Sequence, residues 1–259
     1  MGDHPRIAKY YGRLEDGGLL LEFATGGGLN SFRKIFPQAS QPLLRLWCLQ
    51  LTEGIVHTHS HNILITNIHA GNAVVDLATL GVKLVDFGGA VIDRSPVCIW
   101  ETSTHHLPRP DFTASVKSDL FALGHTLLTI LLGHHPRDPT NGAGHYSPEE
   151  EEWVEAFHTE TEQQYRAGIF PDVSQLQPSA LGEVLRGCWE QRFESAQEVL
   201  DALKGALDDV DVFKTGDDRR AALGTRVELT NWEEFVETVS DDEIYSGVIS
   251  TEVERYSMV

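Results

Sequence analysis

The sequence predicts an α+β fold in which helices dominate and the strands are short. Three observations lead there. Several segments repeat apolar residues with a period of 3.6. Short apolar runs bounded by Gly and Asp are confined to the N-terminal third. The composition, 41% hydrophobic and 23% charged over 259 residues, is that of a globular chain with room for one large domain and an appendage.

The elements follow in order. Ile7–Tyr11 and Leu19–Phe23 read as two strands joined by the polar turn Glu15-Asp16-Gly17-Gly18. Gly26-Gly27-Gly28 breaks the chain before a short helix from Leu29. A phosphate loop would need a Lys-Ser/Thr after those glycines, and none follows, so they read as a linker. A long helix follows Pro42, with Leu44, Trp47, Cys48, Leu51 and Ile55 on one face. Asn72–Asp76 and Val82–Asp86 read as a hairpin. Ser95–Thr113 lacks periodicity and carries several Pro and His, so it reads as a loop. The helix at about Ser118–Leu132 is apolar nearly all round, which predicts a central position. Ser147, Pro148 and Glu150 read as the capped start of the next helix, which Gly168 ends. Ser195 and Glu198 open a last helix that runs to about Leu207. Beyond Asp208 the chain turns polar and acidic. Within that stretch Thr230 and Glu233 cap a short amphipathic face of Trp232, Phe235, Val236 and Val239.

The formal charge is -19, and about half of it lies from Asp201 onward. A field of that sign predicts no nucleic-acid or anionic-membrane partner. An anionic nucleotide would depend on a local metal and backbone donors. Cys48, Cys98 and Cys188 are odd in number and form no CxxC, the pattern of buried thiols in a reducing compartment. No stretch reads as a signal peptide, and the apolar run Phe121–Leu132 is too short to span a bilayer. The expected location is cytoplasmic.

From Asn62 to Gly88 the chain reads NILITNIHAGNAVVDLATLGVKLVDFG. This resembles the protein-kinase pattern I-x-H-R-D-x-x-x-x-N, a hairpin, then D-F-G. Other segments extend the likeness in order. His4-Pro5-Arg6-Ile7 resembles the turn after the regulatory helix. Leu19–Ala24 resembles the strand, gatekeeper (Leu21) and hinge. Ser118-Asp119 through Gly124 resembles the central helix of the large lobe, and Gly187-Cys188-Trp189 with Arg192 and Ser195 resembles its end. From about Asp3 to Ala206 the chain is thus similar to the eukaryotic protein kinase superfamily, in wording most like kinase-like proteins of filamentous fungi. The resemblance implies a protein-kinase-like fold, mainly the α-helical large lobe with a remnant of the β small lobe. It divides the chain into a domain at 1–208 (small-lobe remnant 1–24, large lobe 25–208) and an acidic extension at 209–259. The glycine-rich loop, the Lys-bearing strand and the Glu that pairs with that Lys have no counterpart in this sequence, which reads as N-terminal truncation.

The resemblance also assigns chemistry. Asn72 and Asp86 stand at the magnesium-binding positions, and oxygen donors suit that hard cation. Glu22 and Ala24 stand at the hinge positions expected to meet ATP. Asn67 replaces the catalytic Asp. An amide accepts no proton near neutral pH, and losing a general base costs on the order of 10²–10⁴ in rate, about 3–5 kcal/mol. His69 replaces the neighbouring Lys; a protonated ring would substitute for it in part, but the favoured reading is a half-exposed loop histidine. Thr66 removes the Arg that receives a phosphorylated activation loop, so Ser95, Thr102, Ser103 and Thr104 read as polar surface. Leu107-Pro108-Arg109 stands for A-P-E, where Arg109 would repel Arg192. Asp119 is expected to tie the catalytic loop to the central helix. His57 and His61 share a helix face and read as favourable to its dipole rather than as metal ligands. Three functional readings stay open: a catalytically impaired kinase homologue, or pseudokinase, acting through a protein partner; a Ser/Thr-type kinase using ATP and magnesium on a protein substrate, represented by a truncated chain; and a decayed gene product with no role.

Overall fold

Ile7 decides how the N-terminal ribbon joins the body. The strand expected at Ile7–Tyr11 begins three residues later, as β1 (Tyr10–Arg13), antiparallel to β2 (Leu19–Leu21). Ile7 is buried and bridges Leu84 instead, with Ala8 N–H donating to the Leu84 carbonyl (3.0 Å) and Leu84 N–H to that of Arg6 (2.8 Å). The apolar start of the expected strand is thus used as an anchor. The computed structural model describes residues 2–93, 95, 101–111, 113–137, 151–207 and 222–223, with 151–155 described by backbone alone. The start of the helix expected at Ser147, the amphipathic face at Trp232–Val239 and Cys98 lie outside the described residues.

Two helices follow the triple glycine, α1 (Leu29–Ile35) and α2 (Gln41–Ser60). Arg33 of α1 is buried, yet its guanidinium donates to the carbonyls of Ile130 (3.1 Å), Phe36 (3.0 Å) and Pro37 (3.0 Å). A planar fork of five donors suits three carbonyls at once. In α2 the predicted face is buried: Leu44, Trp47, Cys48, Leu51 and Ile55. Trp47 satisfies its indole N–H on the Leu80 carbonyl at 2.7 Å, which pins α2 to a hairpin. That hairpin is β4 (Ala73–Asp76) and β5 (Gly81–Leu84), in register Ala73↔Leu84 through Asp76↔Gly81. Before it lie β3 (Ile63–Leu64) and a 3₁₀ turn (Ala70–Asn72); after it comes β6 (Val91–Ile92), antiparallel to β3.

The rest is helical: α3 (Val116–Leu132), α4 (Glu151–Arg166), α5 (Ser179–Trp189) and α6 (Ala196–Ala206). Helix α3 is central, as its apolar circumference predicted; Ser115 and Ser118 cap its start reciprocally and left-handed Gly133 ends it. At α6, Ser195 accepts from Glu198 N–H (3.2 Å) and the Glu198 carboxylate accepts from Glu194 N–H (2.8 Å). Helix α5 was not anticipated beyond its end motif. It holds Gly182 and Gly187, each weakening local propensity by about 1 kcal/mol. Both face close neighbours: a Cβ on Gly182 would lie 3.0 Å from Val173 and one on Gly187 2.4 Å from the Phe193 ring. Packing, not propensity, sets this helix. Ala222 and Leu223 are buried in the same core, and Ser40 N–H donates to the Ala222 carbonyl at 2.6 Å. Among the described residues no helix is long and apolar enough to cross a membrane.

Candidate functional site

The loop between β3 and the 3₁₀ turn is held from below by one carboxylate. Asp119 of α3 is 1% exposed and accepts Ile65 N–H (2.8 Å) and Thr66 N–H (3.0 Å). His59 Nε2 lies 2.9 Å from the same carboxylate. Three contacts over-determine the loop, and they are needed. Thr66 has φ +64, a left-handed conformation that strains a β-branched residue by about 1–3 kcal/mol. Its hydroxyl donates to the Gly89 carbonyl at 2.8 Å, joining the loop to the segment after Asp86-Phe87-Gly88.

Asn72 and Asp86 come from the two sides of the β4–β5 hairpin. Val85 N–H donates to the Asn72 carbonyl (3.0 Å), which extends the pairing one step past Ala73↔Leu84. Asp86 follows directly, with φ +54 and an exposed side chain that accepts Gly88 N–H at 3.1 Å. Asn72 is buried, and its amide nitrogen donates to the Asn67 carbonyl at 3.0 Å, so Oδ1 is the atom a cation would meet. Two oxygen donors of this kind fit magnesium, which takes one or two protein ligands and fills its octahedron with water and phosphate oxygens.

Asn67 is half-buried, with its backbone carbonyl engaged by Asn72. His69 caps the 3₁₀ turn by accepting Gly71 N–H on Nδ1 at 3.1 Å, which places its proton on Nε2. Burial pushes the His69 pKa down and outweighs the opposing pull of Asp86, so the ring is neutral at pH 7. Further off, Glu22 pairs with Lys83 and accepts Lys9 N–H at 3.0 Å. Desolvation opposes its ionisation, but those hydrogen bonds prevail and hold the carboxyl below its usual range. The Ala24 carbonyl accepts Gly27 N–H at 3.1 Å. Leu21, beside them, is 48% exposed.

A family model for the protein kinase domain matches residues 1–202. The chain belongs to the protein kinase family. Serine/threonine-protein kinase STE11 of Saccharomyces cerevisiae is 24% identical over 155 residues, 51% of this chain and 20% of that protein. Cytokinesis protein sepH of Aspergillus niger is 29% identical over 145 residues, 52% of this chain and 10% of that protein. Cell division control protein 7 of Schizosaccharomyces pombe is 27% identical over 154 residues, 54% of this chain and 14% of that protein. The chain therefore spans a fifth or less of the length of these relatives, all three of them fungal proteins.

As a kinase-like chain with few short strands, it departs from its family's wording in ways the contacts explain. The expected repulsion between Arg109 and Arg192 does not arise. Arg109 donates both guanidinium nitrogens to Glu101 (2.9 Å each), and Arg192 pairs with Glu190 (3.0 Å) and Glu183 (3.5 Å). His106 binds the same Glu101 at 2.8 Å. Sequence reasoning missed Glu101 because the pairing is set by the path of the chain, not by a motif. The contact of His59 with Asp119 has no sequence signal either, because the two residues are sixty apart in the chain. His57 and His61 lie side by side with tilted rings (4.5 Å), His4 stacks on His57 (4.1 Å), and among the described residues no group of three or more ligands is placed to hold a metal ion.

Proposed function

We propose that this kinase-fold chain is catalytically impaired and acts by binding protein. The observation that carries this is the want of a base beside the cradle among the described residues. Asn67 at the base position is an amide. Asp119 is buried, with its carboxylate turned to the loop backbone and His59, so it holds the loop rather than facing an acceptor hydroxyl. His69 has its Nδ1 engaged by Gly71 and offers only an N–H. Asp86 is the remaining carboxylate, and its role in this reading is to hold metal with Asn72. When bound, magnesium would neutralise the charge of nucleotide phosphates there. Glu22 and Ala24 would line the adenine side. Exposed Tyr10, Tyr11, Leu19, Leu20 and Phe23 on and beside the β1–β2 ribbon are in keeping with a protein partner. Residues 1–208 would form the domain and 209–259 an acidic extension rooted in it by Leu223.

The second reading, a Ser/Thr kinase using ATP and magnesium, is favoured by the retained Asn72–Asp86 pair and by relatives with that activity in their names. One experiment separates them. Purified protein is given labelled ATP, magnesium and a generic protein acceptor, beside Asp86→Ala and Asn67→Asp. The expected result is transfer by the parent equal to that of Asp86→Ala. Transfer that Asp86→Ala abolishes would overturn the proposal, and a Mg-ATP thermal shift abolished by the same substitution would mark a nucleotide site.

A further inference from the structure

A cavity of about 560 Å³ opens where the N-terminal turn, α2 and the β4–β5 hairpin meet. It lies toward the turn end of the hairpin, while Asn72 and Asp86 stand at the other end. No function described above uses it.

Gln50 of α2 marks the cavity as more than a gap between elements. The residue is 5% exposed. Its Oε1 accepts Val82 N–H at 2.9 Å, which fixes the orientation of the amide and leaves Nε2 as a donor. That nitrogen has no hydrogen-bond partner among the described residues, and Gln50 lines the cavity. Two N–H groups on a buried amide call for an acceptor, and the cavity is the space from which one can come.

Arg6 lies beside it. Its Nε donates to Glu53 at 3.0 Å, and its two terminal nitrogens make no hydrogen bond among the described residues. Arg6 Nη1 and Gln50 Oε1 both stand 3.5 Å from the point where a Cβ on Gly81 would lie, so guanidinium and amide flank the same glycine. Lys9 lines the cavity without an ion pair and leads into Tyr10 and Tyr11, both exposed. Lys83 lines it too but is held by Glu22. Of the carboxylates in the wall, Asp76 is engaged in the hairpin turn, by Ala78 N–H (2.9 Å) and the Thr79 hydroxyl (3.1 Å). Apart from exposed Asp3, the charged and amide groups left without a partner are therefore donors. Pro5, Leu46 and Val82 add apolar surface among them.

We propose that this cavity docks an acidic segment of a partner protein, with one carboxylate seated between Arg6 and Gln50 and an apolar neighbour against Pro5, Leu46 and Val82. The inference rests on the protein-binding part of the function proposed above and gives that partner its chemistry. A guanidinium with two free terminal nitrogens matches the two oxygens of a carboxylate, and the Gln50 amide adds a neutral donor at the same point. The chain's charge of -19 does not forbid this. At physiological salt, charges farther off than about 8 Å are largely screened, so the short contacts decide. Tyr10 and Tyr11, continuous with Lys9, offer apolar surface to the rest of the segment.

Fluorescence anisotropy of the full chain tests this with a short labelled peptide in which Glu alternates with Leu and Phe, and with the same peptide carrying Gln for Glu. The Glu peptide should bind at least about tenfold tighter. Arg6→Gln should erase that preference. So should Gln50→Glu, which keeps the acceptor for Val82 N–H and removes the donor. Lys204→Ala, which takes a positive charge from an exposed face of α6, should leave the preference intact. Equal binding of the two peptides, no binding of either, or the same loss in Lys204→Ala would refute the docking site. A parent dimer that Arg6→Gln disperses would make a second copy the occupant and refute it as well. If Arg6→Gln does not fold, the two peptides on the parent and on Gln50→Glu decide. Binding is read without ATP, so a failure here leaves the transfer comparison above standing, and transfer by the parent leaves this measurement readable.

Discussion

Asp119 concentrates more structure than any other single side chain near the candidate site. It fixes a strained Thr66, holds Ile65 and is met by His59. Asp119→Ala would leave two buried backbone N–H groups and an imidazole without an acceptor. Breaking a buried charged hydrogen-bond set costs about 3–5 kcal/mol, and that loss should appear as a lower urea midpoint. The positions of Asn72 and Asp86 were legible in the sequence, because a hairpin of fixed register must bring its two ends together. The tie from Asp119 to the loop was expected from its motif. Its second partner, His59, and the pairing of Glu101 with Arg109 were not. Each depends on how distant segments cross, and a periodicity argument carries no information about that.

At the scale of elements, α3 and α5 pack closer than their side chains alone would allow. A Cβ on Gly124 would stand 2.8 Å from both Cys188 Cβ and Trp189 Nε1. Two effects compete in Gly124→Ala. Helix propensity favours Ala by about 1 kcal/mol, and overpacking a tight interface costs about 1–3 kcal/mol. The obstacles here are a backbone-proximal Cβ and a ring that is itself stacked on His125 and Phe170, so neither can yield cheaply. The net expectation is a loss of about 1–2 kcal/mol in urea unfolding; a gain would mean the helices can separate freely. The same logic explains which elements the sequence revealed. Helices α2 and α3 carry their apolar faces in long uninterrupted runs. Helix α5 carries two glycines whose only justification is the neighbour across the interface, so its local pattern understates it.

Over the whole molecule, the composition changes at about Asp208, where acidic residues begin to dominate. The core does not stop there. Leu223 is 1% exposed, and Ala222 gives its carbonyl to Ser40 at the start of α2. Composition misses this because two apolar residues in an acidic stretch do not change its average. The contact matters energetically out of proportion to its length. Ser40 has no side-chain cap for α2, and its own N–H would lose its acceptor if the 222–223 pair lifted off. Leu223→Ala in the full chain should therefore cost about 2–4 kcal/mol through the cavity it leaves. A truncation on an exposed helix face, Lys204→Ala, should do far less. Urea unfolding of the two variants beside the parent measures the difference. Equal midpoints for Leu223→Ala and the parent would mean that residues 222–223 rest on the domain without stabilising it.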